Sequence, residues 1–254
     1  MAKLQRKVCF ITGGANGIGK ATVELFAAEG GLVYFVDTDE LAGQRLVEKV
    51  RTQGGQATFI PGNVSVLEDC QRAVHHVIST EGRIDVLFNH AGVITAKGFL
   101  EYTLEDWDWL FENNAKSVFM VTRAVLPHML VQGKGVIIAT SSSSAKAVTS
   151  FESVYCASKS AMHQLCRAIA VEYRDAGIRC NLIVPSFVRT GHASREIEQL
   201  RSHGILATES DIALMQGRIC EPEEVATIAL FLANDDSSFI NGAEIMADNT
   251  FTAI

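Results

Sequence analysis

The 254-residue sequence predicts an α/β fold: a single domain (1–254) on a doubly wound parallel sheet of about seven strands, with helices on both faces. Two observations carry this. Short β-branched and aromatic runs alternate with longer stretches of helical period, and the runs are apolar on both faces, as strands covered on both sides must be. Right-handed crossovers then wind the chain around the sheet and place any ligand beyond the carboxyl ends of the strands. At 48% hydrophobic and 20% charged residues the composition is that of a globular chain. A chain of this length buries about three-quarters of its unfolded surface, core enough without disulfides or a structural metal.

Strands are expected at 8–11, 32–36, 57–60, 86–88, 136–139, 180–184 (ended by Pro185) and 244–246. Helices are expected between them at 18–28, 40–50, 67–78, 104–130, 154–173 and 222–232. There is no linker-like stretch and no repeat. Residues 186–220 break the rhythm: they are long, more polar and rich in His and Arg, and they begin at the carboxyl end of a strand. Such an excursion reads as a substrate lid.

A net charge of −7 and the lack of a basic stripe argue against nucleic acid as a partner. No apolar run reaches the roughly 18 residues of a membrane span. The opening MAKLQRKVCFITGG passes from a few basic residues straight into a strand and a glycine turn, which reads as a mature cytoplasmic start rather than a secretory leader. The six cysteines are scattered, with no zinc-like spacing; they are expected to be reduced and mostly buried, and no metal site is expected.

Three constellations carry chemistry. Thr12-Gly13-Gly14-Ala15-Asn16-Gly17-Ile18-Gly19 joins the first strand to the first helix. Glycines there let the backbone approach a pyrophosphate and the helix pack on the strand, while the helix N-terminus offers free N–H groups to the phosphates. The turn marks a Rossmann-like dinucleotide fold. Asp37 ends the second strand, where its carboxylate can accept from both adenosine ribose hydroxyls and repel the extra phosphate of NADP. With Asn16 rather than a cation in the turn, NAD is the expected cofactor. Tyr155 and Lys159 stand four apart on a helix and so share a face. A free tyrosine titrates near pH 10, so ionising it at pH 7 takes about 4 kcal/mol, which a neighbouring ammonium can supply in part.

With these residues the sequence resembles the short-chain dehydrogenase/reductase family, in its short single-domain subgroup. The resemblance spans essentially the whole chain and rests on the glycine turn, Asn89-His90-Ala91-Gly92, Asn114, Ser142, Tyr155 with Lys159, and the stretch from Pro185 to Thr190. It implies Tyr155 as general acid/base, Lys159 lowering its pKa and holding the nicotinamide ribose, Ser142 steadying the substrate oxygen, and Asn114 holding a proton-relay water. It implies cofactor contacts from Gly13, Asn16, Gly17, Ile18, Gly19, Asp37, Asn63, Val64, Asn89, Ala91, Gly92, Tyr155, Lys159, Pro185, Val188 and Thr190, with Asn89 and Gly92 on the adenosine ribose side. Val188 offers its backbone, and Thr190 its hydroxyl, to the carboxamide. A homotetramer is implied too, built on the helices near 104–130 and 153–175 and on the last helix and strand.

Some positions depart from the family pattern. Asn63 replaces the usual Asp beside adenine and can still accept from its amine. His90 replaces a second Asn and reads as a histidine on the ribose side or one supporting a neighbouring group, rather than an added base. Ser186 replaces the glycine after Pro185, and Asp248-Asn249-Thr250 stands where Asp-Gly-Gly is usual. The reading is an oxidoreductase moving a hydride between NAD(H) and a secondary alcohol or ketone. An NADPH-dependent ketoreductase and a non-catalytic NAD-binding sensor or scaffold are the alternatives. Val93, Ile94, Val148 and Phe187 are expected around the reaction centre, which favours a medium-sized, partly apolar alcohol.

Overall fold

In the computed structural model, which describes residues 2–205 and 208–253, the expected strands form one sheet. They are β1 (Val8–Thr12), β2 (Leu32–Asp37), β3 (Gln56–Pro61), β4 (Val86–Asn89), β5 (Gly135–Thr140), β6 (Ile178–Pro185) and β7 (Glu244–Ala247). All neighbours are parallel, in the order β3-β2-β1-β4-β5-β6-β7. The chain runs outward from β1 to β3, then crosses back to lay β4 on the other side of β1. The crevice at the carboxyl ends of β1 and β4 is therefore the switch point where such sheets bind ligands.

Alternation along each strand divides the core in two. Val8 and Phe10 face one side, beneath α3 (Leu67–Glu81), α5 (Ser117–Gln132) and α6 (Ser153–Glu172). Cys9 and Ile11 face the other, beneath α1 (Gly17–Ala28), α2 (Glu40–Thr52) and α9 (Pro222–Ala233). Phe10, Phe26, Phe35 and Phe88 are fully buried, each worth about 2–3 kcal/mol in apolar burial. Local signals set the helix ends: Asp39 caps α2 through Ala42 N at 3.0 Å, and Pro222 opens α9 where its missing N–H is harmless.

One expectation changes. The single helix expected over 104–130 is α4 (Leu104–Phe111) and α5, joined by a π-helical turn at Glu112–Lys116. A π turn accommodates one extra residue per turn, which hydrophobic periodicity does not reveal. The polar excursion is helical: α7 (Gly191–Ser202) and α8 (Glu209–Gln216) rise from a pinch in which Val188 bridges Cys220. Residues 206 and 207 of that excursion lie outside the described residues. Among the described residues, no helix is long and apolar enough to cross a membrane.

Candidate active site

The crevice is tied together by Thr12, whose Oγ1 accepts from His90 N at 3.0 Å and Ala91 N at 3.1 Å, fastening the end of β1 to the segment after β4. Gly13 has φ +68°, and a Cβ there would stand 2.8 Å from Ala91 Cα. A Cβ on Gly19 would fall 1.9 Å from Gly13 O, so Gly19 serves the close packing of α1 on the turn. Asn16 precedes α1 without a side-chain cap; its amide donates instead to Asp39 at 3.1 Å. The first N–H groups of α1 are thus left facing the crevice, as anion binding requires.

From this turn a cavity of about 770 Å³ runs between Asp37, Asn63 and Val64 at one end and Ser142, Tyr155 and the lid at the other. Gly13, Asn16, Gly17, Ile18, Ala91, Gly92, Lys159, Pro185, Val188 and Thr190 also line it. Asp37 closes the first end, its Oδ2 accepting from Ala15 N at 2.9 Å and its Oδ1 from Asp39 N at 3.0 Å. Asp39 lines the same end, so two carboxylates stand there, with no lysine or arginine among the described residues lining it; Arg45 is near enough to Asp39 to favour its ionised form.

At the other end Tyr155 and Lys159 emerge from α6, both almost fully buried. Lys159 Nζ donates to Thr140 O at 3.1 Å and lies 5.9 Å from the centre of the Tyr155 ring. Burial lowers the Lys159 pKa to about 8. Burial, then the charge of Glu196, raises that of Tyr155, while the Ser142 hydroxyl acts in the opposite direction. In the chain by itself the phenol is thus held protonated. Among its neighbours, Ser141 is engaged with His163 Nδ1 at 2.9 Å and Ser144 with Glu152 at 3.3 Å.

Asn114 sits in the π turn, buried behind the cavity wall. Its Oδ1 accepts from Val93 N at 2.8 Å, and its Nδ2 donates to Val93 O at 2.9 Å and Ser158 Oγ at 3.0 Å. A Cβ on Gly92 would meet both Asn114 Oδ1 (3.1 Å) and Lys159 Nζ (3.2 Å). Asn114 therefore stands just behind the lysine, its amide engaged with the loop that follows Gly92 and with Ser158 of α6.

Asn89 does not reach the cavity, and several expected residues that do are engaged within the chain. Asn89 turns into the core and donates to Thr122 Oγ1 at 3.0 Å; it braces β4 against α5. The Asn63 carbonyl oxygen expected to face adenine already accepts from Ser65 N and Oγ, at 3.0 and 2.9 Å. Ile94 packs with Leu110 and Val154, and Val148 is 79% exposed, so Val93 and Phe187 remain of the expected apolar wall. Thr190 Oγ1 accepts from Ala193 N at 3.2 Å, capping α7, and also donates to Val188 O. His90 holds Thr140 Oγ1 at 3.0 Å, and burial drives its pKa down to about 3, too low for a base near neutral pH.

Sequence reasoning missed His192, Glu196 and Phe251. All three line the cavity; His192 lies 6.3 Å from Tyr155 between ring centres, and Phe251 packs edge-on against Phe187. None lies in a recognisable motif, and only topology brings them to Tyr155.

The residues present fit a nicotinamide dinucleotide. The glycine backbone, the open N-terminus of α1 and the Asp37 carboxylate suit its phosphates and ribose. The buried Ser186 Oγ at the opposite end has no hydrogen-bond partner among the described residues and can take a hydrogen bond from a bound group. Among the described residues no group of His, Cys, Asp or Glu is arranged to hold a metal ion.

Known proteins agree with this architecture. A family model described as Enoyl-(Acyl carrier protein) reductase matches residues 13–252. The chain is 34% identical to a cyclopentanol dehydrogenase of Comamonas testosteroni, over 100% of both chains. It is 36% identical to a meso-2,3-butanediol dehydrogenase of Serratia marcescens, covering 99% of this chain and 96% of the relative. The crystal structure of levodione reductase superposes with a TM-score of 0.94 at 29% identity, over 98% of this chain and 99% of that one. By fold, by the arrangement at the β1/β4 crevice and by these likenesses, the chain belongs to the short-chain dehydrogenase/reductase family of oxidoreductases, which bind nicotinamide dinucleotides.

Proposed function

We propose that the chain is an NAD-dependent dehydrogenase of secondary alcohols. The observation that carries this reading is that Ser142, Tyr155 and Lys159 line one cavity with the glycine turn and Asp37. The relatives named for cyclopentanol and 2,3-butanediol support secondary alcohols as the substrate class. The Asp37 carboxylate at the ribose end supports NAD over NADP, because a 2′-phosphate would meet its negative charge.

When bound, the cofactor supplies hydride transfer. The chain supplies the rest. The substrate oxygen sits between the Tyr155 and Ser142 hydroxyls, Tyr155 taking or returning its proton and Ser142 donating a hydrogen bond to the oxygen as charge develops. Lys159 holds a positive charge behind Tyr155 and binds the nicotinamide-side ribose. Asn114 fixes the loop that walls off Lys159 and keeps that side of the cavity in place. Val93, Phe187 and Phe251 offer the substrate an apolar wall.

The proposal includes one domain over 1–254, a homotetramer and a cytoplasmic home. Apolar side chains exposed on α4 and α5 (Leu104, Trp109, Phe119, Val131), with Phe239 near the last strand, support assembly through the expected surfaces. Five buried thiols suit a reducing compartment. A screen of secondary alcohols of graded size, followed by the absorbance of NADH, tests the function, with turnover expected and silence across the panel refuting it. Fluorescence titration should show NADH at least tenfold tighter than NADPH, about 1.4 kcal/mol; equal affinity refutes NAD dependence.

A further inference from the structure

The lid helix α7 presents three polar side chains to the cavity. His192, Arg195 and Glu196 stand at i, i+3 and i+4, the spacing of one helix face, and all three line the cavity wall. That face is held in place. Thr190 Oγ1 caps the helix through Ala193 N at 3.2 Å, and Gln199 accepts from Ala96 N at 2.9 Å. At the far end the His203 ring stacks on Phe151 at 4.5 Å and 11°, and Leu200 and Ile197 pack against Ala96 and Phe151.

His192 is the member that meets Tyr155, at 6.3 Å between ring centres and a tilt of 52°. Other polar groups nearby are already engaged: Ser141 by His163, Ser144 by Glu152, His90 by Thr140, and Lys159 by the Thr140 carbonyl. Tyr155 and Ser142 are left for the reacting oxygen. Among the described residues the His192 ring makes no hydrogen bond and no ion pair. Burial, with Lys159 and Arg195 nearby, lowers its pKa to about 3. Near neutral pH the ring is therefore uncharged, with one nitrogen that donates and one that accepts. A half-buried imidazole in this state gives up hydration and regains a hydrogen bond only from a group inside the cavity. Glu196, one turn on, adds a carboxyl group that accepts from a hydroxyl in either protonation state. Arg195 is exposed, where water serves it.

We propose that His192 is a specificity-determining residue that binds a second hydroxyl, on the carbon next to the reacting one, and that vicinal diols are the substrate class. Hydroxyls on neighbouring carbons lie about a hydrogen-bond length apart. With one oxygen between Tyr155 and Ser142, the next therefore falls toward the His192 ring. It can accept from the imidazole N–H and donate to Glu196, a pairing that an ether, a ketone or a bare C–H does not offer. The hydrocarbon part lies on Val93, Phe187 and Phe251. In the reaction one carbinol gives its hydride to NAD, which becomes NADH, and its proton to Tyr155. The second carbinol keeps its C–H and O–H bonds, so the product is an α-hydroxy ketone. This catalytic consequence rests on the proposed dehydrogenase reading; the hydroxyl site does not.

Cyclohexane-1,2-diol and cyclohexanol share a ring and differ by the second hydroxyl, so their ratio tests the site. In wild type kcat/KM, followed by NADH absorbance, should favour the diol by about tenfold or more. His192→Phe keeps a ring against Tyr155 without its nitrogens, and the ratio should fall to near one. His192→Asn, which retains a donor and an acceptor, should keep an intermediate preference. A second readout needs no turnover: each alcohol is titrated into the NADH-loaded protein, and its dissociation constant is read from NADH fluorescence. The diol should bind about tenfold tighter in wild type and no tighter than cyclohexanol in His192→Phe. A wild-type ratio near one in the titration, no binding of either alcohol, or a ratio unchanged in His192→Phe overturns the site. Silence in the turnover assay with the diol still preferred in the titration sinks the dehydrogenase reading and leaves the site standing.

Discussion

Lys159 Nζ gives its hydrogen bond to the Thr140 carbonyl and stands 5.9 Å from the centre of the Tyr155 ring, so ammonium and phenol share a wall of the cavity without forming an ion pair. Burial dominates both, pushing the lysine down to about 8 and the tyrosine up. The family resemblance implies that the lysine lowers the tyrosine pKa. In the chain alone, burial and Glu196 outweigh that effect.

Tyr155→Phe removes the hydroxyl that exchanges a proton with substrate and leaves the ring in its packing with Ile94, Leu110 and Val154. Turnover should vanish, while NADH affinity, read by fluorescence, stays within a few-fold of wild type. Retained turnover would remove Tyr155 from the mechanism.

Lys159 should make stability depend on pH. Its folded pKa lies near 8, against 10.5 for the free side chain, so between these values the unfolded chain binds more protons and stability rises with pH. Below pH 8 the whole penalty, about 3 kcal/mol, is present. Lys159→Met removes it and orphans the Thr140 carbonyl at a cost of about 1 kcal/mol. At pH 7 the variant should therefore be about 2 kcal/mol more stable in urea, and inactive, with its advantage shrinking toward pH 10.5. An advantage independent of pH contradicts the burial argument.

Asn114→Ala leaves Val93 N–H and C=O without their partners behind the cavity wall. Orphaned buried backbone groups cost about 1–3 kcal/mol each. Urea unfolding should show a loss of about 3 kcal/mol; a loss below about 1 kcal/mol would mean that the loop finds other partners.

Thr250 is held at φ +73° beside Asn249 at φ +43°, in a turn where glycines were expected. A β-branched residue is strained there, and Thr250→Gly should gain about 1 kcal/mol, seen calorimetrically as a Tm higher by about 2–4 °C. Asn249 should resist replacement, because its amide donates 2.7 Å to Gln216 O and ties the end of α8 to the tail that carries Phe251.

The sheet was legible because its central strands are buried on both faces, which forces unbroken apolar runs such as 32–36. The cofactor end was legible because glycines and Asp37 follow one another at a strand end, where local sequence determines local geometry. The substrate end was much less so. Glu152 looks like a surface charge in sequence, yet the fold leaves it 0% exposed against Ser144, and Glu196 is brought to the cavity only by the docking of α7. Asn89 belongs to a cofactor motif yet turns away, because Thr122 on a distant helix satisfies it. His90 is set against Thr140 and kept neutral by burial.

The π turn at Glu112–Lys116 absorbs its extra residue locally, so α4 and α5 keep their faces in phase and Leu110 and the Trp107–Phe111 stack stay with their neighbours. Deleting one amino acid within it would restore regular helix with little change to those faces, and would remove the widened turn from which Asn114 reaches Val93. Sequence drift can therefore shorten this stretch only by giving up that bridge.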